Sequence, residues 1–294
     1  ILERIPVLVI SAESRTEAER ACLEMGVSDF IRKPFDSVTV RSRVRNIVEL
    51  FMYKNQLEDK VRIQTENLKR QNRLLEQQAE KIKASNEKII DVLGTVVEYR
   101  NLESGEHIKR VKGFTRILAE KAAKKYPEYN LTPERINIIV AASALHDIGK
   151  ITIKDSVLLK PGRLDKDEFE YMKSHTVRGC DILDQIDGAW DSEYAKVSYA
   201  ICRHHHERYD GKGYPDELTG EEIPIEAQLV SVADVYDALV SERVYKEAID
   251  KDKAYHMILM GECGVFSPKL MECFRESKEE FENLALKYEN ARKE

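Results

Sequence analysis

Seven histidines, His107, His146, His175, His204, His205, His206 and His256, are the side chains of this sequence best placed to do chemistry. Six of them lie beside acidic residues, other histidines or lysine in short polar motifs. Imidazole and carboxylate together suit iron, manganese or zinc, because both are borderline or hard donors. The segment His146-Asp147-Ile148-Gly149-Lys150 follows the apolar run Ile138 to Leu145. Successive helical residues differ by about 100° in direction, so an adjacent His-Asp pair can approach a metal cluster from one corner, with the carboxylate bridging two ions. Lys150 falls one turn after His146, on the same face. As a bare dipeptide, His-Asp reads as an ordinary polar turn. In His205-His206-Glu207-Arg208-Tyr209-Asp210-Gly211-Lys212-Gly213-Tyr214-Pro215 two adjacent imidazoles can serve two ions. The glycines and proline of its tail demand a turn or loop. A surface histidine cluster at a helix end would not need so long a motif. Lys173-Ser174-His175 with Gly179 is weak by itself, an exposed helical histidine being the simple reading. Asp234 and Asp237, three apart in an apolar run, share a helix face. Carboxylates on a buried face are costly without a partner, so a metal or cation is expected there rather than two capping acids.

The elements that must hold these residues are mostly helical. Over residues 93–294, stretches such as Arg135 to His146 and Ala227 to Val240 carry apolar residues at helical spacing, and few segments alternate with period two. The region is about the size of one ordinary domain. The 42% hydrophobic content suffices for a buried core, and the 34% charged content implies long exposed helical faces. The formal net charge of −6 argues against general binding to nucleic acid or an anionic membrane, so neither is expected as a partner. An anionic substrate would then rely on metal ions or a few local Lys and Arg. No apolar run approaches the length of a membrane span. Cys22, Cys180, Cys202, Cys263 and Cys273 are odd in number, far apart and without a CxxC pair. They read as reduced thiols of a cytoplasmic protein.

Two further segments precede the histidines. Residues 1–46 read as α/β: the run Pro6 to Ser11 suits a buried parallel strand, Ser14 to Met25 a helix stopped by Gly26, and Asp29 to Arg32 a second strand. This segment resembles the C-terminal part of a response-regulator receiver domain, with Ser11 at the switch Ser/Thr and Lys33-Pro34 at the Lys-Pro pair. The acidic pocket and phosphate-accepting Asp that the resemblance implies would lie upstream, so no phosphotransfer is assigned to these residues. A start at Ile1 rather than Met suggests a fragment, with a sensor kinase acting on the missing receiver part. Residues 47–92 lack Pro and Gly, and Val61, Leu68, Leu75, Ile82 and Ile89 recur every seven residues. The alternate seam positions, Leu57, Gln64, Gln71, Gln78 and Ser85, are mostly polar. The pattern predicts a loosely held two-stranded parallel coiled coil, hence a homodimer, in preference to a single solvated helix. Polar seam positions would let the helix pair shift register and pass a signal.

From about residue 93 to about 275 the sequence resembles the HD-GYP family, a branch of the HD superfamily of metal-dependent phosphohydrolases. The resemblance rests on HDxGK at 146–150, KxHxxxG at 173–179, HHExxDGxGYP at 205–215 and DxxDAL at 234–239. It implies a mainly α architecture: an all-helical HD-GYP domain preceded by the coiled-coil helix and the partial receiver. It also implies hydrolysis of cyclic di-GMP to linear pGpG or GMP in bacterial signalling. Carried over by position, His146, Asp147, His175, His205, His206 and Asp234 look like metal ligands, with Asp147 bridging. Lys150 and Asp237 match residues near the reacting phosphate, Lys150 to serve the leaving oxygen and Asp237 to orient or deprotonate water. Arg243 and Lys246 match substrate-phosphate contacts, and Tyr214 the loop beside the substrate. Residues 100–107 match the first-helix motif, where many members have an aromatic residue in place of Glu103. Glu103 and His107, one turn apart, look like the extra pair of the trinuclear subgroup; a surface pair without metal is the other reading. Two or three divalent ions are therefore expected, iron with manganese as the alternative. His204 and His256 match no ligand position. Rival readings are an HD phosphohydrolase acting on another nucleotide, and a non-catalytic sensing or partner-binding module that engages diguanylate cyclases. The filling of every expected ligand position counts against the latter.

Overall fold

A computed structural model describes residues 5–12, 16–101, 105–185, 192–242 and 248–291. It divides into two units, Ile1–Ile82 and Lys83–Glu294. The first begins with strand β1 (Leu8–Ser11), helix α1 (Thr16–Glu24) and strand β2 (Asp29–Arg32). The strands pair in parallel, with Val9 opposite Phe30 and Ile10 opposite Ile31. Phe30 and Ile31 are buried. A parallel pair needs a crossover, and α1 supplies it.

Helix α2 (Ser37–Arg100) runs unbroken for 64 residues. Neither Pro nor Gly interrupts it before Gly94, so the coiled-coil stretch expected at 47–92 is the interior of a longer helix. Leu57, Val61, Leu68, Leu75, Ile82 and Ile89 are all at least half exposed along it.

The named elements of the second unit are all helices among its described residues. After the end of α2 come α3 (Glu106–Lys125), α4 (Pro133–Ala142), α5 (Asp155–Leu158), α6 (Lys166–Lys173), α7 (His175–Asp184), α8 (Ser192–His204), α9 (Ile225–Val240), α10 (Lys251–Leu259), α11 (Pro268–Glu276) and α12 (Lys278–Ala291). With only two four-residue strands among the described residues, the fold is mainly α, as expected.

Helix α3 buries Val111, Phe114, Leu118 and Ala122, a stripe at helical spacing. It packs against α4, α9, α11 and α12. Helix α9 buries Ala227, Leu229, Val230, Val232, Ala233, Tyr236 and Leu239, more than one face, because it runs through the interior. Phe114 stacks on Phe281 at 4.9 Å and meets Tyr236 edge-on at 5.0 Å. A smaller core of Ile90, Val97, Ile108, Ala144, Leu145, Ile148, Cys180, Leu183 and Cys202 lies under the histidines. The five cysteines are free thiols. Among the described residues no helix is long and apolar enough to cross a membrane.

Candidate metal centre

Helix α4 ends at Ala142, and the chain tightens into 3₁₀ turns at Ser143–Leu145 and Ile148–Thr152. His146 and Asp147 stand between the two turns. A Cβ on Gly149 would fall 1.8 Å from the His175 carbonyl oxygen and 2.6 Å from the Gly179 nitrogen. Only glycine permits so close an approach, and that approach brings the start of α7 onto Asp147. His175 Nε2 lies 3.2 Å from Asp147 Oδ1, and His205 Nε2, just past α8, lies 3.6 Å from the same oxygen. The other oxygen, Oδ2, faces His146 Nε2 at 3.3 Å and Lys150 Nζ at 2.5 Å.

Donor atoms of Asp147, His175, His205 and His206 all lie within 4.8 Å of one another. A second group, Glu98, His107 and His146, meets the same limit. Asp234 Oδ1 stands beside the second group, 3.8 Å from His107 Nε2 and 3.7 Å from His146 Nε2.

The backbone orients the imidazoles. Nδ1 of His146 donates to the Ser143 carbonyl, that of His175 to the Met172 carbonyl, and that of His205 to the carbonyls of Ile201 and Cys202. Each ring therefore turns Nε2 inward, as metal-ligating histidines do. Nε2 of His146, His175 and His205 and Oδ1 of Asp147 are buried without a hydrogen-bond partner. Such an atom costs on the order of 1–3 kcal/mol. Four of them sharing one space is the pattern that divalent cations satisfy, so the donor set fits the metal ions expected from the sequence.

Charge supports the fit. Burial pulls the His146 imidazole down, but Asp147, Asp234 and Glu98 outweigh it and lift its pKa to about 10. Burial pushes Asp147 up, yet Lys150 and His146 hold it well below the usual carboxylate range. Burial keeps His205 and His206 down, hence neutral and ready to ligate. The site sets the Asp147 carboxylate beside the neutral imidazoles of His205 and His206.

The glycine-rich loop folds back over His206. Glu207 is buried and accepts from the backbone nitrogens of Asp216, at 2.8 Å, and Leu218, at 3.1 Å. A Cβ on Gly213 would lie 2.3 Å from the Arg208 nitrogen, so the chain needs glycine there to double back. Tyr214 stacks on His206 at 4.7 Å between ring centroids, with Lys173 5.6 Å from the tyrosine ring.

Asp237 shares helix α9 with Asp234, as the spacing implies, but serves a different contact. Its Oδ2 meets His107 Nδ1 at 2.7 Å, and Arg110 donates to Oδ1 at 2.5 Å and to Oδ2 at 3.0 Å. The residue is 1% exposed. The sequence placed Asp237 beside the reacting phosphate; here Arg110, one turn after His107 on α3, draws both its oxygens to the back of that imidazole. Burial raises the Asp237 carboxyl, but His107 and Arg110 overcome this and leave it at about 2.

The other expected residues divide. Glu103, Arg243 and Lys246 lie outside the described residues. His204 stands apart from the cluster and meets Asp216 at 2.9 Å, and His256 is exposed beside Asp252. Glu98, Arg110 and Arg100 were not singled out in the sequence. Arg100 donates to the carbonyls of Lys150 at 2.9 Å, Ile151 at 2.6 Å and Ile153 at 2.6 Å, clamping the segment that follows His146-Asp147. The signal for Glu98 was present: an acid in the apolar run Val96-Val97-Glu98, on the face shared with Ile90 and Gly94.

Gly149→Ala tests the close approach. The new methyl must displace the His175 backbone, which is expected to destabilise the metal-free chain by about 3 kcal/mol, the upper end of ordinary overpacking. Metal content should fall with it, as His175 is pushed from Asp147. A thermal melt and metal analysis that match wild type would refute this account of the site's assembly.

Residues 52–262 match the HD domain family. A probable cyclic di-GMP phosphodiesterase of Vibrio cholerae is 34% identical over 291 residues, covering 97% of this chain and 64% of that protein. The cyclic di-GMP phosphodiesterase response regulator RpfG of Xanthomonas campestris is 34% identical over 291 residues, covering 98% of this chain and 71% of the relative. A cyclic di-GMP phosphodiesterase of Thermotoga maritima is 34% identical over 281 residues, with 93% and 72% covered. The chain thus spans about two thirds of the length of these relatives.

Proposed function

This chain belongs to the HD-domain family, in its HD-GYP branch, and from that membership we propose that it is a metal-dependent phosphodiesterase hydrolysing cyclic di-GMP to pGpG, GMP or both. The observation that carries the reading is the convergence of inward-facing, buried donors from α7, the end of α8 and the turn after α4 on Asp147.

Asp147, His175, His205 and His206 would hold one ion and His107, His146 and Asp234 a second, with Asp147 able to offer an oxygen to each side. Glu103, together with His107, is the pair that would accompany a third. Iron is the proposed metal, with manganese as the alternative. Divalent ions supply Lewis-acid charge to the phosphoryl oxygens and lower the pKa of water.

The chain's own side chains do the rest. Asp147 offers its two oxygens in different directions, toward His175 and His205 on one side and His146 on the other. Lys150 holds its ammonium against Asp147 Oδ2, near enough to the cluster to pass a proton to a leaving oxygen. Asp237 acts through His107, fixing the ring from behind so that Nε2 faces inward. Tyr214, stacked on His206, would give a guanine base or ribose an aromatic surface beside the histidine cluster. Arg243 and Lys246 add the positive charge for the phosphates that a chain of net charge −6 lacks elsewhere.

The five free thiols fit a reducing, cytoplasmic setting. The exposed heptad residues of α2 fit a homodimer built on a parallel helix pair. Light scattering should give twice the chain mass; a monomer mass at micromolar concentration would defeat the dimer.

The activity is tested by anaerobic purification, metal quantification and product analysis on cyclic di-GMP, alongside other cyclic dinucleotides and nucleotide monoesters. Bound iron or manganese with release of pGpG or GMP supports the proposal. Metal-loaded protein that leaves cyclic di-GMP intact while cleaving another nucleotide would overturn the substrate. Loaded protein that cleaves none would leave a sensing module.

A further inference from the structure

We infer that Glu98, in the last turn of the long helix α2, is itself a metal ligand, completing a site with His107, His146 and Asp234. The inference rests on the metal-dependent reading above and adds to it a residue that none of the expected motifs contains.

Glu98 is 1% exposed, His107 1% and His146 0%. One ligand atom from each lies within 4.8 Å of the other two. The Nδ1 atoms of both imidazoles are already engaged, His107 with Asp237 and His146 with the Ser143 carbonyl. A cation would therefore meet both rings through Nε2. His146 Nε2 is buried without a hydrogen-bond partner. Asp234 Oδ1, 3.8 Å and 3.7 Å from the two Nε2 atoms, closes the set. Two imidazoles and two carboxylates are a donor set for a borderline divalent ion, and the two negative charges match its two positive ones.

Glu98 is also held in place. One turn earlier, Gly94 lies so close to the turn bearing His146 that a Cβ would sit 2.4 Å from the Ala144 carbonyl oxygen. Two residues later, Arg100 grips the carbonyls of Lys150, Ile151 and Ile153. The last two turns of α2 are therefore pinned on both sides of His146-Asp147, with Glu98 between the pins. The helix that carries the heptad repeat thus contributes a ligand directly, and a shift of its final turn would alter the metal site without any intermediary.

The test is anaerobic titration of the full chain with Fe(II) and with Mn(II), reading ions bound per chain and their affinity. Wild type is compared with Glu98→Gln, Glu98→Asp and His206→Ala. Glu98→Gln keeps the shape but removes the charge. It is expected to lose one ion per chain, or to bind it more than about tenfold more weakly, since removing even a residue behind a ligand has that effect. His206→Ala should lose a different ion, so the losses in Glu98→Gln/His206→Ala should add. If Glu98→Gln fails to fold by circular dichroism, Glu98→Asp decides: a carboxylate drawn back by one methylene should weaken the same ion on that scale. Wild-type stoichiometry and affinity in a folded Glu98→Gln or Glu98→Asp chain would overturn the inference and leave the proposed activity standing. Loss of one ion in a chain that never hydrolyses cyclic di-GMP would keep Glu98 as a ligand and remove the activity. A wild-type chain that takes up neither metal would remove both.

Discussion

The Asp147→Ala chain is expected to be folded, to lose metal from both clusters and to lose turnover together with it. Asp147 is the only residue whose two oxygens face separate imidazole sets among those described, His175 and His205 through Oδ1 and His146 through Oδ2. Its removal should therefore empty both sites rather than weaken one. The charge stabilisation that metal ions give to phosphoryl transfer amounts to several kcal/mol, so hydrolysis of cyclic di-GMP should drop by about a thousandfold or more. The fold should survive, because the helical core around Phe114, Tyr236 and Phe281 lies elsewhere. Metal analysis and steady-state rates on the same preparation check both halves. Normal metal content with full activity would refute the assignment of Asp147.

The Asp237→Ala chain should fail for a different reason. Arg110 is 5% exposed and spends its guanidinium on Asp237. Removing the carboxylate takes both hydrogen bonds from that buried charge and leaves Glu106 3.8 Å away, and breaking a buried pair typically costs about 3–5 kcal/mol. His107 is released at the same time, so metal affinity should fall along with stability. Arg110→Met in the same chain should recover most of the stability and none of the His107 contact, which separates the two roles. Chemical denaturation and metal titration of the single and double variants measure this. A single variant with unchanged denaturation midpoint would show that the ion pair contributes nothing. The acid limb follows in sign. The folded pKa of about 2 lies below the unfolded value near 3.8, so Asp237 stabilises the chain fully above pH ~4. That contribution, about 2 kcal/mol from the shift, disappears as pH falls from about 4 toward 2, and the acid loss should be smaller in Asp237→Asn.

The sequence by itself determined the helical class and named the candidate ligands. His146, Asp147, His175, His205, His206 and Asp234 were legible as candidates because four ordered motifs together resemble one family, although His146-Asp147 alone reads as a polar turn and His175 alone as an exposed helical histidine. The helices around them were legible because their apolar spacing is local. Gly149, Gly179 and Gly213 stood in the same motifs, but their reason did not: another backbone passes too close to Gly149 and Gly213 for a side chain, the Cys202 sulfur does so at Gly179, and those distances exist only after folding. Tertiary structure alone decided which carboxylate does what. Asp234 and Asp237 are equivalent in spacing, yet one faces the imidazole Nε2 atoms and the other grips His107 from behind, because Arg110 of α3 meets α9 at the second position and not the first. It also decided that Glu98 joins His107 and His146. A ligand on a neighbouring helix has no fixed offset in sequence, so only the packing of α2 on the turn after α4 could bring it there.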